Sequence, residues 1–349
     1  MSGALIPALT AILALGFAVA LLDQWRERRH AFQLAWAVGM TFFGIGSAAE
    51  AIASFAGWSE PLYRIWYLTG AAWTPAWLGL GTAFLLAKTR FGYTYAFLLV
   101  CSGLIALMIR NAPAYAGAGP LPILYLIVTL ILALAIGVET YFQNARWTEF
   151  AAAAVIGTTV LSLGLMAATT LAAPGYAIDP ATGQPVATLM PGYLRLLTPV
   201  LNFTGALSLA FGALFSAYTF MTKRRVLAYS LDPRQSGDQF LFNLFIAPVA
   251  ILVNLVASIP GAARDLAIGR LNSRVPATLL IAIGAFVASA GDTLNRFGVT
   301  APFAIAKLIA VVLLLAGFLV SIEVFREFRV PFTNIRFGVA RRERGAGSH

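Results

Sequence analysis

Residues 47–82 read SAAEAIASFAGWSEPLYRIWYLTGAAWTPAWLGLGT, two apolar segments separated by a short polar turn. Glu50 lies near the end of the first segment and Arg64 near the start of the second, and the apolar sequence around them extends over residues 37–88. An apolar segment of about twenty residues is long enough to cross roughly 30 Å of hydrocarbon as an α-helix. The sequence therefore predicts a hairpin of two membrane-spanning helices here.

The whole chain has the composition of a membrane protein. Of its 349 residues 60% are hydrophobic and 11% are charged, and long apolar segments recur from end to end. Only α-helices and closed barrels satisfy every backbone polar group inside lipid. The strands of a barrel would alternate apolar and polar residues, and this chain does not. We therefore predict an all-α integral membrane protein, a polytopic helical bundle surrounded by the lipid bilayer.

The distribution of basic residues fixes the number of crossings and their direction. Segment 240–259, which contains Asn243, Pro248 and Asn254, is apolar enough to span. If it does not, 19 of the 24 Lys and Arg residues fall on one side, whereas a tenth crossing would remove that bias. We therefore predict about nine transmembrane helices plus one re-entrant or interfacial helix. The predicted spans are 3–22, 31–55, 62–87, 93–109, 120–141, 150–173, 193–220, 275–294 and 301–325.

This topology predicts four regions and an orientation. Residues 1–222 form a seven-helix N-terminal membrane region, and residues 223–274 a cytoplasmic-side linker with the re-entrant or interfacial helix. Residues 275–325 form a C-terminal transmembrane hairpin, and residues 326–349 a basic cytoplasmic tail. By the positive-inside rule the N-terminus lies outside and the C-terminus in the cytoplasm of a bacterial-type inner membrane.

Two echoes within the sequence suggest an internal repeat. Residues 47–50 (SAAE) resemble residues 289–292 (SAGD), and in both copies a basic residue follows 14 or 15 positions after the acidic one. The third and seventh predicted spans are also alike, because GTAF at 81–84 and GALF at 212–215 lie at the same distance from an arginine. Parallel repeats of helical units build many transporters. Chance similarity between apolar helices is the alternative.

Four charged residues are the first candidates for a functional site. Glu50, Arg64, Asp292 and Lys307 lie within predicted spans, where an ionisable group costs roughly 2.5–3.5 kcal/mol on insertion scales. We expect intramembrane charged pairs within each hairpin, Glu50 with Arg64 and Asp292 with Lys307. Such pairs are either structural or form an ion, proton or substrate site.

The second candidate is a pocket beside Pro75. Pro75 has no N–H, so the carbonyl of Ala71 loses its helical hydrogen bond and the third span should kink. Trp73 and Trp77 flank the proline near mid-span, whereas membrane tryptophans usually lie at the interface. The predicted pocket residues are Trp73, Pro75, Trp77, Arg195 and Asn202.

Several function classes are excluded. Cys101 is the only cysteine, and both histidines, His30 and His349, lie outside the spans, so we expect no metal site and no cofactor. Because no catalytic motif occurs, we expect no enzyme, with lipid chemistry by acidic residues alone as a minor alternative. Most of the basic residues lie in the links between spans, which argues against nucleic-acid binding.

The leading hypothesis is a transporter-like protein that binds or moves a small or amphiphilic solute, such as a small-molecule or lipid ligand. One alternative is a non-catalytic accessory subunit with partners in a larger membrane complex. The other is a membrane sensor. A transporter predicts that the intramembrane charges line a water-accessible path, whereas an accessory subunit predicts dry charge pairs.

Overall fold

A computed structural model describes residues 2–115, 117–268, 270–272, 274–296, 299–320, 328–329 and 336–337. The described chain is an all-α polytopic bundle, as predicted, apart from one two-residue strand pair near the C-terminus. The helices are α1 (Ser2–Arg28), α2 (Ala31–Ala56), α3 (Glu60–Trp66), α4 (Thr74–Leu85), α5 (Phe91–Met108), α6 (Leu121–Tyr141), α7 (Trp147–Ala168), α8 (Gly192–Arg195), α9 (Gly205–Phe220), α10 (Pro233–Ser236), α11 (Phe240–Ala267), α12 (Arg274–Arg296) and α13 (Phe303–Val320). The antiparallel strands are β1 (Phe328–Arg329) and β2 (Arg336–Phe337).

Among the described residues, nine helices are long and apolar enough to cross a membrane. Eight of them match predicted spans, and the ninth is α11. The predicted third span falls below that length because a π-helical segment, Tyr67–Trp73, separates α3 from α4. The seventh span is interrupted in the same way by Pro199–Thr204. The predicted end of the ninth span and most of the basic tail lie outside the described residues.

The packing of α9 against α12 shows on which face of the bundle the segment that contains α11 starts and ends. Asn202, just before α9, contacts Asp292 near the end of α12, and the rings of Phe211 and Phe286 lie 6.5 Å apart. At the other ends, the Arg274 guanidinium lies 4.8 Å from the centre of the Phe220 ring. The two helices are therefore antiparallel, so α9 ends and α12 begins on the same face of the bundle. A single crossing by α11 would not allow this.

The contacts of α11 place its two ends on that face. The Phe240 ring at its start lies 5.6 Å from Tyr93, near the beginning of α5, and 6.1 Å from Tyr141, the last residue of α6. Farther along α11, Leu255 and Ala262 belong to a cluster that includes the end of α9 and the start of α12. Because each helical residue adds about 1.5 Å, α11 extends over roughly 40 Å. α11 therefore lies along the face of the bundle on which α9 ends and α12 begins.

Asn254 attaches α11 to the preceding linker. Its side-chain oxygen accepts hydrogen bonds from the backbone N–H groups of Val226 (2.7 Å) and Leu227 (2.9 Å), and its amide donates to the Leu227 carbonyl (2.8 Å). Asn254 is fully buried, so these bonds replace its water. Asn254, one of the polar residues that distinguish segment 240–259 in the sequence, thus fixes the path of the linker.

The position of α11 can be tested by labelling from one side of the membrane. We expect single cysteines at Asp238 and Asn272, introduced with Cys101 replaced by Ala, to react with a membrane-impermeant maleimide from the same side. A cysteine at Asn111, beyond the opposite end of α5, should react from the other side. Reaction of the first two from opposite sides would show that α11 crosses.

Two hydrophobic cores meet at α2. One contains Ala35 and Ala49 of α2 with buried aromatic residues of the third span, α5 and α7. The other contains Met40 and Phe43 of α2 with apolar residues of α1, α9, α12 and α13. Because α2 belongs to both, a polar side chain on this helix can reach either half of the bundle. Glu50 is that side chain.

Candidate functional site

A buried ion pair joins α2 to α13. Lys307 Nζ donates to Glu50 Oε1 at 2.8 Å, and the indole N–H of Trp66 donates to the same oxygen, also at 2.8 Å. Only 4% of Glu50 and 8% of Lys307 are exposed. The carboxylate thus accepts two hydrogen bonds, one of them from a charged ammonium, and these compensate for its burial. The pair connects the first hairpin to the last, 257 residues apart in the chain.

Close packing of α2 against the third span brings Trp66 to Glu50. A Cβ atom on Gly46 would lie only 2.7 Å from the Cα of Gly70, which only glycine permits. Gly46 is one turn before Glu50 on α2, and Gly70 is one turn after Trp66 in the third span. The glycine contact therefore sets the distance at which the indole meets the carboxylate.

The predicted pairing within each hairpin differs from the structure. Glu50 pairs with Lys307, while Arg64 binds Glu60, one turn earlier in α3, with an Nε–Oε1 distance of 2.9 Å. Arg64 also donates to the carbonyls of Met166 and Thr169 at the end of α7. The last carbonyls of a helix lack intrahelical donors and carry partial negative charge, which attracts the guanidinium. Arg64 thus caps α7 at the surface.

Asp292 and Lys307 lie at one depth in the final hairpin, as expected. Their neighbours Gly291 and Ala306 are in close contact. A Cβ atom added to Gly291 would lie only 2.6 Å from the Cβ of Ala306. The Asp292 carboxylate accepts a hydrogen bond from Asn202 at 3.4 Å. The ammonium of Lys307, in contrast, binds Glu50 across the bundle.

Asn202 connects Asp292 to the defect at Pro75. Its amide nitrogen donates to the Ala71 carbonyl at 2.6 Å, the same carbonyl that Pro75 leaves without a helical partner. The backbone there is π-helical up to Trp73, so the helix is irregular where the kink was predicted. Sequence reasoning identified the freed carbonyl and named Asn202 as a pocket residue, but did not connect the two.

Trp73 and Trp77 occupy the space in which a pocket was predicted. Both indole N–H groups donate to α7, Trp73 to Ser162 at 2.8 Å and Trp77 to Thr159 at 3.2 Å. The Phe42 ring of α2 lies 5.0 Å from the Trp73 ring. The two tryptophans therefore join α2, the third span and α7.

The other predicted pocket residue, Arg195, lies elsewhere, with its guanidinium 5.2 Å from the centre of the Tyr115 ring. An apolar cleft is found between α1, α2, α9, α12 and α13, lined by residues such as Phe17, Met40 and Leu314. None of the predicted pocket residues lines it.

The third and seventh spans share one architecture. In each, a short helix leads into a π-helical segment and then a longer α-helix, and α4 begins at Thr74 while α9 begins at Gly205. The sequence offset between these two starts equals the offset between Arg64 and Arg195. The two spans run parallel and touch at this junction, where a Cβ on Gly205 would be 2.3 Å from the Pro75 carbonyl oxygen.

The loop between α7 and α8 is attached over this region. Tyr63 of α3 donates its hydroxyl proton to the Val186 carbonyl, and Asn295 of α12 donates to the Pro185 carbonyl at 3.5 Å. Thr300, in the turn before α13, donates to the Asp179 carboxylate. The loop is thereby fixed to both the first and the last hairpin.

The Asp179 attachment should depend on pH. Hydrogen bonds from Thr300, Thr182 and the Ala181 N–H lower the pKa of Asp179. A lowered pKa means that the ionised form stabilises the folded loop at neutral pH and that this contribution is lost as pH falls through the lowered pKa. We expect Asp179→Asn to lower the melting temperature at pH 7, and the difference from wild type to shrink under acid conditions. Thr300→Val should add little to Asp179→Asn, and additive effects would contradict the proposed contact.

We define the polar layer as Glu50, Trp66, Asn202, Asp292, Lys307 and the Ala71 carbonyl. Glu50 is six residues from the end of α2, so it lies roughly 9 Å from that end of the helix. The hydroxyl of Ser47, on the same face of α2, is fully buried and has no hydrogen-bond partner among the described residues. Sequence reasoning missed Trp66 and Ser47, although both are within the hairpin that it singled out.

Comparison with known proteins gives no match, whether with protein-family models, with curated proteins or with solved structures. Within the described part of the chain, no group of three or more His, Cys, Asp or Glu side chains is arranged to hold a metal ion. The arrangement that remains is a set of charged and hydrogen-bonding groups inside a multi-pass bundle, buried at Glu50, Trp66 and Lys307 and half-buried at Asn202 and Asp292.

Proposed function

We propose that the protein binds and moves a small or amphiphilic solute across the membrane, and that the polar layer is its binding site in a closed state. The observation that carries this proposal is the buried Glu50–Lys307 pair, which connects the first and last hairpins. Ionisable groups inside a membrane are costly, and they commonly mark substrate or ion pathways.

The two interrupted spans support this proposal. Transporters often place their binding sites where helices are discontinuous, because the freed backbone groups can bind solute or ions. Here the Ala71 carbonyl is such a group, and it belongs to the polar layer. The shared architecture of the third and seventh spans, with equivalent starts in contact, is the arrangement that a parallel internal repeat would produce. We infer that the last hairpin moves relative to these two spans and to α2.

The proposal includes an orientation. With α11 on one face, 19 of the 24 basic residues fall on the side that we assign to the cytoplasm of a bacterial-type inner membrane. The N-terminus is then outside and the C-terminus inside. The polar layer lies nearer the outer face, under the loop that contains Asp179.

Water access to Ser47 tests the proposal. In a Cys101→Ala background, we expect Ser47→Cys to react with a small membrane-impermeant methanethiosulfonate added outside, because the layer opens to water during transport. Leu134→Cys, on an apolar exposed face of α6, is the matched control and should not react. Failure of Ser47→Cys to react, while Asn111→Cys reacts from the same side, would contradict the proposal.

The second candidate, a non-catalytic accessory subunit, has one observation in its favour. The Glu50–Lys307 pair is nearly dry and both members have partners, as expected for a structural connection. Under this alternative Ser47→Cys stays unreactive, and a partner protein copurifies through the exposed apolar faces. The same labelling experiment therefore separates the two candidates.

A further inference from the structure

The ammonium of Lys307 is enclosed by a carboxylate and aromatic rings. Its nitrogen lies 2.8 Å from Glu50 Oε1, 5.2 Å from the centre of the Phe303 ring and 5.7 Å from that of the Phe43 ring. Trp66 holds the carboxylate by its indole N–H. We call Glu50, Trp66, Phe43 and Phe303 the ammonium box.

The box has the chemistry of a binding site for organic cations. The faces of aromatic rings attract cations within about 6 Å, and the attraction strengthens when the cation is desolvated. An ammonium has three N–H donors. In the described contacts of Lys307 one donor is directed at an oxygen, that of Glu50, and the aromatic rings provide no strong acceptor. A carboxylate fixed from behind by an indole supplies that acceptor without requiring the protein to rearrange.

We propose that the ammonium box is the substrate site, that it recognises a solute with a primary ammonium group, and that Lys307 occupies it when no solute is present. This inference rests on the proposed transport function and names its substrate class. Exchange of one ammonium for another leaves the charge of the box unchanged. The buried carboxylate is therefore never left without a counter-ion, a state that would be strongly unfavourable.

Lys307 has a second acidic residue within the same hairpin when it leaves the box. Asp292 lies at the same depth, since its neighbour Gly291 touches Ala306. The lysine side chain is a flexible four-carbon stem with a compact charge, so it can turn about its own Cα. We infer that solute entry moves the Lys307 ammonium from Glu50 towards Asp292, which would connect binding to movement of α13 against α2.

Binding of simple amines to the purified full-length protein tests this inference. We expect saturable binding of n-butylammonium by calorimetry, and none of n-butanol, its neutral analogue. Tetramethylammonium should bind several-fold more weakly than n-butylammonium, because it cannot donate a hydrogen bond to Glu50. Removal of the tethered competitor in Lys307→Ala should tighten n-butylammonium binding at least tenfold.

Two ring substitutions provide a matched pair that does not disturb the ion pair. Phe303→Leu should weaken n-butylammonium binding about three- to tenfold, as expected for the loss of one cation–π contact. Phe318→Leu, on the same helix but packed against Phe17, should leave binding unchanged. Glu50→Gln should weaken binding at least tenfold if the variant folds.

Three results would overturn the inference: no saturable amine binding by wild type, binding only after Lys307→Ala, or equal binding by the two phenylalanine variants. The second result would mean that the amine merely fills the space left by the lysine. The labelling of Ser47→Cys separates these outcomes from failure of transport itself. If Ser47→Cys reacts but no amine binds, the proposed pathway stands and only the substrate class is contradicted. If Ser47→Cys does not react, both proposals are contradicted.

Discussion

Neutralising one member of the Glu50–Lys307 pair is expected to destabilise the protein by about 3–5 kcal/mol, because the other charge is then buried without a counter-ion. Glu50→Gln leaves the Lys307 ammonium among apolar rings, and Lys307→Met leaves the carboxylate with the Trp66 indole as its donor. The double variant should recover much of that loss, since two neutral side chains of similar volume can replace a buried ion pair at small cost.

A double-mutant cycle on thermal or denaturant unfolding in detergent measures this coupling. The matched control is the Glu60–Arg64 pair, whose carboxylate side chain is 42% exposed. Glu60→Gln should cost less than about 1 kcal/mol, as surface ion pairs typically do. Single variants of the buried pair that unfold as the wild type does would mean that water reaches the pair, and would favour an open path over a dry connection.

The architecture was predictable because it depends on properties that are local in sequence. Apolar length identifies a span. The count of basic residues predicts that segment 240–259 does not cross, and the antiparallel packing of α9 and α12 fits that prediction. The proline at position 75 also acts locally, since its missing N–H always frees the carbonyl four residues earlier.

Partners that come from distant parts of the chain were not predictable. Lys307 was paired with the nearest acidic residue in its own hairpin, whereas the structure joins it to Glu50 in α2. Arg64 was paired with Glu50 because both were placed within predicted spans, although Glu60, one turn earlier in α3, is nearer in sequence and is its acidic partner in the structure. For Lys307 proximity in sequence was the criterion, and helix packing decides otherwise; for Arg64 the helical spacing to Glu60 was a usable signal.

The second interrupted span carried a signal that went unused. Pro199 begins its π-helical segment, and it removes a backbone donor just as Pro75 does in the third span. Applying the proline argument at both positions would have strengthened the echo between these two spans. It would also have drawn attention to Asn202, three residues later, as a donor placed beside a second defect.

The contact between the two interrupted spans should tolerate no added side chain. A Cβ on Gly205 would lie 2.3 Å from the Pro75 carbonyl oxygen and 2.6 Å from the Cα of Ala76, and these are backbone atoms that cannot rotate away. We expect Gly205→Ala to lower stability by about 1–3 kcal/mol or more, the usual range for overpacking. Asn202 would move with α9, so its bonds to the Ala71 carbonyl and Asp292 should lengthen.

The matched control is Gly157→Ala in α7, where an added Cβ would meet nothing within 4 Å. Both positions are helical, so both variants gain up to about 1 kcal/mol of helix propensity from alanine, and the difference between them reports the contact alone. Thermal unfolding of the two variants in the same detergent measures that difference. Equal melting temperatures would show that α4 and α9 separate freely at Gly205, and the polar layer would then lack the rigid junction against which the last hairpin is proposed to move.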